Sequence, residues 1–81
     1  MKINIKLFAS YRENAGVNTL ALNLPSHATV STALDTLMQK HTAISSDKEK
    51  LVTAVNGEYQ GHEFELRDGD ELALIPPVSG G

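Results

Sequence analysis

The segment VSTALDTLMQKH, residues 30–41, decides the architecture. Val30, Ala33, Leu34, Leu37, Met38 and His41 recur at i, i+3, i+4, i+7, i+8 and i+11, which is one apolar stripe along a helix. Thr29 stands just before it, where a side-chain oxygen can accept from the first free backbone N–H groups, and is predicted as the N-cap. Met38 reads as adaptable core filler rather than as a chemical group. A single apolar stripe must be buried against another layer, and the flanking sequence supplies strands for that purpose.

On the N-terminal side, KINIKLF alternates polar and apolar from Lys2 to Leu7 and places Ile3, Ile5 and Leu7 on one face. TLALNL, residues 19–24, does the same with Leu20, Leu22 and Leu24. Between them SYRENAG has capping-box spacing at Ser10 and Glu13 and a helix-ending glycine at Gly16, so a short helical turn is expected. That connection leaves the two strands free to pair antiparallel. On the C-terminal side, ISSDKEK reads as a solvated loop and LVTAV as a strand. Asn56-Gly57 signals a tight hairpin turn, followed by a short strand around Glu58 to Gln60. A loop with His62 and Phe64, a turn at RDGD and a last strand ELALI complete the pattern. The expected fold is α+β: a mixed sheet, one long helix packed across it and a short helical segment after the first strand. If the first and last strands are parallel neighbours, the crossover through the helix obeys the handedness rule, and the arrangement is the β-grasp, or ubiquitin-like, fold. The domain would span residues 1–75, with an extended, flexible tail at 76–81.

The 81 residues make one domain, with 41% hydrophobic residues for a modest core and 21% charged residues for a soluble surface. A net charge of −3 with scattered basic residues argues against nucleic acid. The absence of cysteine removes disulfides, thiolate metal sites and a thiol nucleophile. No signal-peptide region or membrane-spanning run is visible, so no membrane partner is expected and a cytoplasmic location is the default.

Side chains offer little chemistry. His27, His41 and His62 are not at metal-ligand spacing, and no metal is expected. Asp68, Asp70 and Glu71 sit in a DG turn signal without the longer spacing of a calcium loop. No serine lies in a nucleophile elbow and no glycine-rich phosphate loop is present, so the chain has no catalytic side chains of its own. One feature stays unexplained: PPVSGG, residues 76–81. Pro76 and Pro77 favour an extended stalk, and six residues at about 3.1–3.3 Å each reach ~20 Å. Val78 and Ser79 continue it, and Gly80 and Gly81, lacking Cβ atoms, can thread a narrow channel and bare the last carbonyl. Such a carboxyl group is inert until a partner that spends ATP converts it to an acyl-adenylate. The competing reading is a frayed terminus.

The chain resembles the small subunits of molybdopterin synthase, the sulfur carriers of molybdenum cofactor biosynthesis. The marks are FASYRENAG near the start, Val55-Asn56, DGDELALIPP and the closing VSGG, spread over the whole chain. The thiamin sulfur carriers are similar and also end in Gly-Gly, but usually lack the first helical segment and the double proline. The resemblance implies that an E1-like adenylating enzyme activates the Gly81 carboxylate and that a sulfur donor system converts the adenylate to a thiocarboxylate. The tail, Pro76 to Gly81, would then enter the active site of the large synthase subunit in a 2+2 heterotetramer. Sulfur would pass there to cyclic pyranopterin monophosphate. No cofactor would be bound by the carrier itself, ATP being used by the activating enzyme. The alternatives are a thiamin-type carrier and a ubiquitin-like protein modifier.

Strand parity also places a docking surface. With Ile3, Ile5 and Leu7 facing inward, Phe8 takes the opposite face, as does Ile75 when Leu72 and Leu74 face the core. Phe8 and Ile75 are expected to meet on the outer face at the root of the tail, joined by Tyr59, as an apolar patch that holds a partner. The competing reading folds the short helix back over Phe8.

Overall fold

The computed structural model describes residues 1–44 and 47–76. Five strands form one mixed sheet: β1 (Lys2–Leu7), β2 (Thr19–Asn23), β3 (Val52–Val55), β4 (Glu58–Tyr59) and β5 (Glu71–Ile75), in the order β2-β1-β5-β3-β4. β1 is antiparallel to β2 and parallel to β5, with Leu7 opposite Leu74, while β3 is antiparallel to both β5 and β4. The parallel central pair is the β-grasp signature expected from the order of elements, and the fold is ubiquitin-like.

The long helix, α2 (Val30–Lys40), buries Val30, Ala33, Leu34 and Leu37 in one cluster with Ile3, Ile5, Leu7, Leu22, Leu72 and Leu74. Truncating any of these large side chains to alanine would cost about 2–5 kcal/mol. Met38 packs at the margin of the cluster and His41 is the C-cap residue, donating its backbone N–H to Leu37 O. Thr29 caps the other end, its Oγ1 accepting from Thr32 N–H at 3.3 Å. Val30 and Ser31 donate the next backbone N–H groups to Phe64 O and His62 O, so the connection before β5 is pinned across the start of α2.

Two local expectations are corrected. The first short helix, α1 (Ala9–Ala15), begins one residue before Ser10, and no side chain caps it. Its N-cap is Phe8, whose carbonyl accepts from Tyr11 and Arg12, because a positive φ of 47° at Ala9 turns the chain directly out of β1. Gly16 ends it in the left-handed region at φ 78°, as expected. In the segment 44–50, Ile44 is buried in the core and Lys48–Lys50 form a 3₁₀ turn. Asp47 caps that turn, and Lys48 Nζ donates to Ser31 Oγ at 2.8 Å and Asp35 Oδ1 at 2.9 Å. The polar composition of this stretch hid one apolar anchor.

Candidate docking face and tail root

The helix covers one face of the sheet. On the other face the ladder registers set the outward-facing side chains in rows. Val52 lies opposite Ile75, and the next step of the β1–β5 register brings Phe8 beside Ile75. A second row runs Lys6, Ala73, Ala54, Tyr59. Phe8 and Ile75 are half-buried, Val52 is 44% exposed and Tyr59 73% exposed. Lys6 Nζ stands 5.4 Å from the Phe8 ring centroid, a cation–π approach at the rim of the patch. Pro76 follows Ile75 directly at the end of the central strand β5 and is half-buried. Pro77, Val78, Ser79, Gly80 and Gly81 lie outside the described residues.

The structure therefore gathers Phe8 and Ile75 as the strand parity requires. Tyr59 shares their face but lies at the sheet edge, three strands from β1, or ~14 Å at the usual strand spacing. Val52 fills the gap, and sequence reasoning missed it. LVTAV is a continuous apolar run in which both faces look alike; only pairing with β5 separates outward Val52 and Ala54 from inward Thr53 and Val55.

Beside this face, the β3–β4 turn and the turn before β5 are laced together. Asn56 Nδ2 donates to Asp70 Oδ1 at 2.9 Å, and Asn56 Oδ1 accepts from Glu71 N–H at 3.0 Å. Asp70 Oδ2 accepts from Arg67 N–H and Asp68 Oδ1 from Lys2 N–H. These carboxylates act as turn chemistry, as the DG signal indicates. A cleft of about 450 Å³ between the turns is lined by Glu58, Phe64, Glu65, Arg67 and Asp70 among others; Asp70 is already engaged there and Glu65 pairs with His27 at 2.9 Å. His62 Nε2 donates to Leu51 O at 2.9 Å. Among the described residues no group of three or more His, Asp or Glu could hold a metal ion, and no helix is long and apolar enough to cross a membrane. Tyr11, the buried residue of α1, has its hydroxyl pKa raised by desolvation.

A mixed five-stranded sheet with a helix packed on one face and an apolar row on the other defines the class: a small ubiquitin-like β-grasp domain. Comparison narrows it. Residues 5–81 match the ThiS family model, and the chain belongs to that family. It is similar to the molybdopterin synthase sulfur carrier subunit of Arabidopsis thaliana, 40% identical over 100% of this chain and 84% of that protein. The crystal structure of SAMP1, small archaeal modifier protein 1, from Haloferax volcanii superposes with a TM-score of 0.89 at 37% identity, covering 100% of both chains. A chain of the Amycolatopsis orientalis BexX/CysO complex superposes with a TM-score of 0.69 at 26% identity, covering 98% of this chain and 99% of that one.

Proposed function

We propose that this chain is the sulfur carrier subunit of a molybdopterin synthase. Its working group is the Gly81 carboxylate, which an E1-like enzyme adenylates with ATP and a sulfur donor converts to a thiocarboxylate. In that form it delivers sulfur to cyclic pyranopterin monophosphate in the large subunit. The observation that carries the reading is the juxtaposition of the Phe8–Ile75–Val52 row with Pro76, the first residue of the tail. An apolar face gives the large subunit a place to dock, and a stalk of roughly 20 Å lets the terminus reach a site deeper in that partner while the sheet stays outside. The 40% identity to a plant carrier subunit over the whole chain supports the substrate class. A carrier whose sulfur rides on a carboxyl carbon also has no need of the cysteine this chain lacks.

The likeness to a modifier protein favours a second reading, in which the same activated carboxyl group forms isopeptide bonds to lysines. Reconstitution with the large subunit, the activating enzyme and a sulfur donor separates the two. The full chain should convert the pyranopterin precursor, and deletion of Gly81 should abolish conversion without changing the melting temperature. Conversion by the truncated chain would sink the tail reading, and lysine conjugates with no conversion would favour the modifier.

A further inference from the structure

In β1 the odd-numbered residues bond to β2 and the even-numbered ones to β5. Leu7 N–H donates to Asn18 O and Leu24 N–H to Met1 O, both at 2.8 Å, while Asn4 N–H donates to Asp70 O at 3.0 Å. Since Ile3 pairs with Leu22 and Ile5 with Leu20, the backbone groups of Leu20 and Leu22 are used within the sheet. Those of Thr19, Ala21 and Asn23 point away from it. All three residues are exposed, and their outward N–H and C=O groups bond to no other described residue.

The two borders of the sheet are treated differently. At the far border β4 is only two residues long, carries Glu58, and beyond it His62 donates to the Leu51 carbonyl that a further strand would need. β2 has none of the devices that keep edges apart: no charge, no proline, no covering side chain. From Val17 to Pro25 the sequence VNTLALNLP is uncharged, in a chain of net charge −3.

We propose that the free edge of β2 is a self-association site, where two copies of this chain pair antiparallel about Ala21 and continue the sheet across both. Pairing about that residue sets Ala21 on itself and Thr19 on Asn23, so that each outward N–H and C=O of the three residues meets a partner. On the helix side, half-buried Leu20 falls opposite Leu22. At the ends, Val17, 42% exposed, falls opposite exposed Pro25. Every pair is uncharged, so two anionic molecules meet here without like charges at the seam. The seam is short, so the interface belongs to the small, transient class below ~1,200 Å². It leaves the Val52–Ile75 part of the docking row uncovered, and it does not depend on the carrier reading.

The cysteine-free chain permits a clean trap. Paired Cα atoms about 5.5 Å apart fall within disulfide range. In a thiol–disulfide buffer, Ala21→Cys should form a disulfide dimer at least tenfold faster than the exposed control Lys40→Cys. Adding Thr19→Glu with Asn23→Glu sets glutamate against glutamate at both ends of the seam and should return the rate to the control's, while within each molecule the new carboxylates stand opposite Lys6 and Lys2. Sedimentation equilibrium of the unmodified chain at high concentration should show a dimer that the glutamate pair removes, with the melting temperature preserved. Equal trapping rates, a glutamate pair without effect, or a monomer at every concentration would each overturn the proposal. A monomer whose large-subunit binding falls on introducing the glutamates would assign the edge to a partner's strand instead.

Discussion

Replacing Asn56 by alanine tests how the loops behind the docking face are held. Asn56 has a φ of 50°, a left-handed conformation that asparagine tolerates and alanine does not, which costs about 1 kcal/mol. Its side chain makes two hydrogen bonds that fasten the β3–β4 turn to the start of β5, one of them to a carboxylate. Both are solvent-exposed, so each contributes about 0.5–1 kcal/mol. Asn56→Ala should therefore destabilise by about 2–3 kcal/mol, a fall of roughly 10–20 °C in melting temperature for a domain of this size. Asn56→Gly keeps the backbone conformation but loses both bonds, and should recover about 1 kcal/mol of that loss. Urea titration of the three proteins, with Asp70→Ala added to close a double-mutant cycle, reads these quantities. Equal stabilities for the alanine and glycine variants would refute the backbone contribution. A coupling energy near zero between Asn56 and Asp70 would refute the bridge.

Two further outcomes follow from exposure and burial. Val52→Asp and Ile75→Glu should each weaken binding to the large subunit at least tenfold by surface plasmon resonance, while Val52→Asp, at a 44% exposed strand position, costs no more than about 1 kcal/mol of stability. Unchanged binding by both variants would remove this face from the interface. Tyr11 is held neutral by burial, its folded pKa raised above the ordinary tyrosine value of 10.0, so its contribution is fully present below pH 10 and is lost as pH rises through the folded value. Alkaline unfolding should consequently be less steep in Tyr11→Phe than in the parent, and identical profiles would contradict this.

Most of the fold is legible because two periods announce it. The 3.6-residue stripe from Val30 to Leu37 and the alternation in β1, β2 and β5 each match a buried face, so helix, strands and sheet layers follow from the sequence. What escaped depends on contacts between distant segments. Ser10 looks like a cap by spacing, but Ala9 turns the chain before a cap can form. Ile44 is one apolar residue in a polar run, and nothing local marks it as an anchor. Val52 faces outward only because β3 pairs with β5 in one particular register. The candidate face was half legible for the same reason: Phe8 and Ile75 follow from parity within their strands, whereas Val52 required the neighbouring strand. The Asn56 bridge joins two of the marks that carry the family resemblance, Val55-Asn56 and DGD, which the sequence shows only as separate strings.

The central claim is that the carboxyl group of Gly81 carries the chemistry. Its most direct test is the intact mass of the chain after incubation with the E1-like enzyme, ATP and a sulfur donor, with fragmentation to locate the change. One oxygen should be replaced by sulfur on Gly81, only when ATP is present and not in a chain extended by one residue. An unaltered terminus under those conditions, or sulfur located anywhere else in the chain, would contradict it.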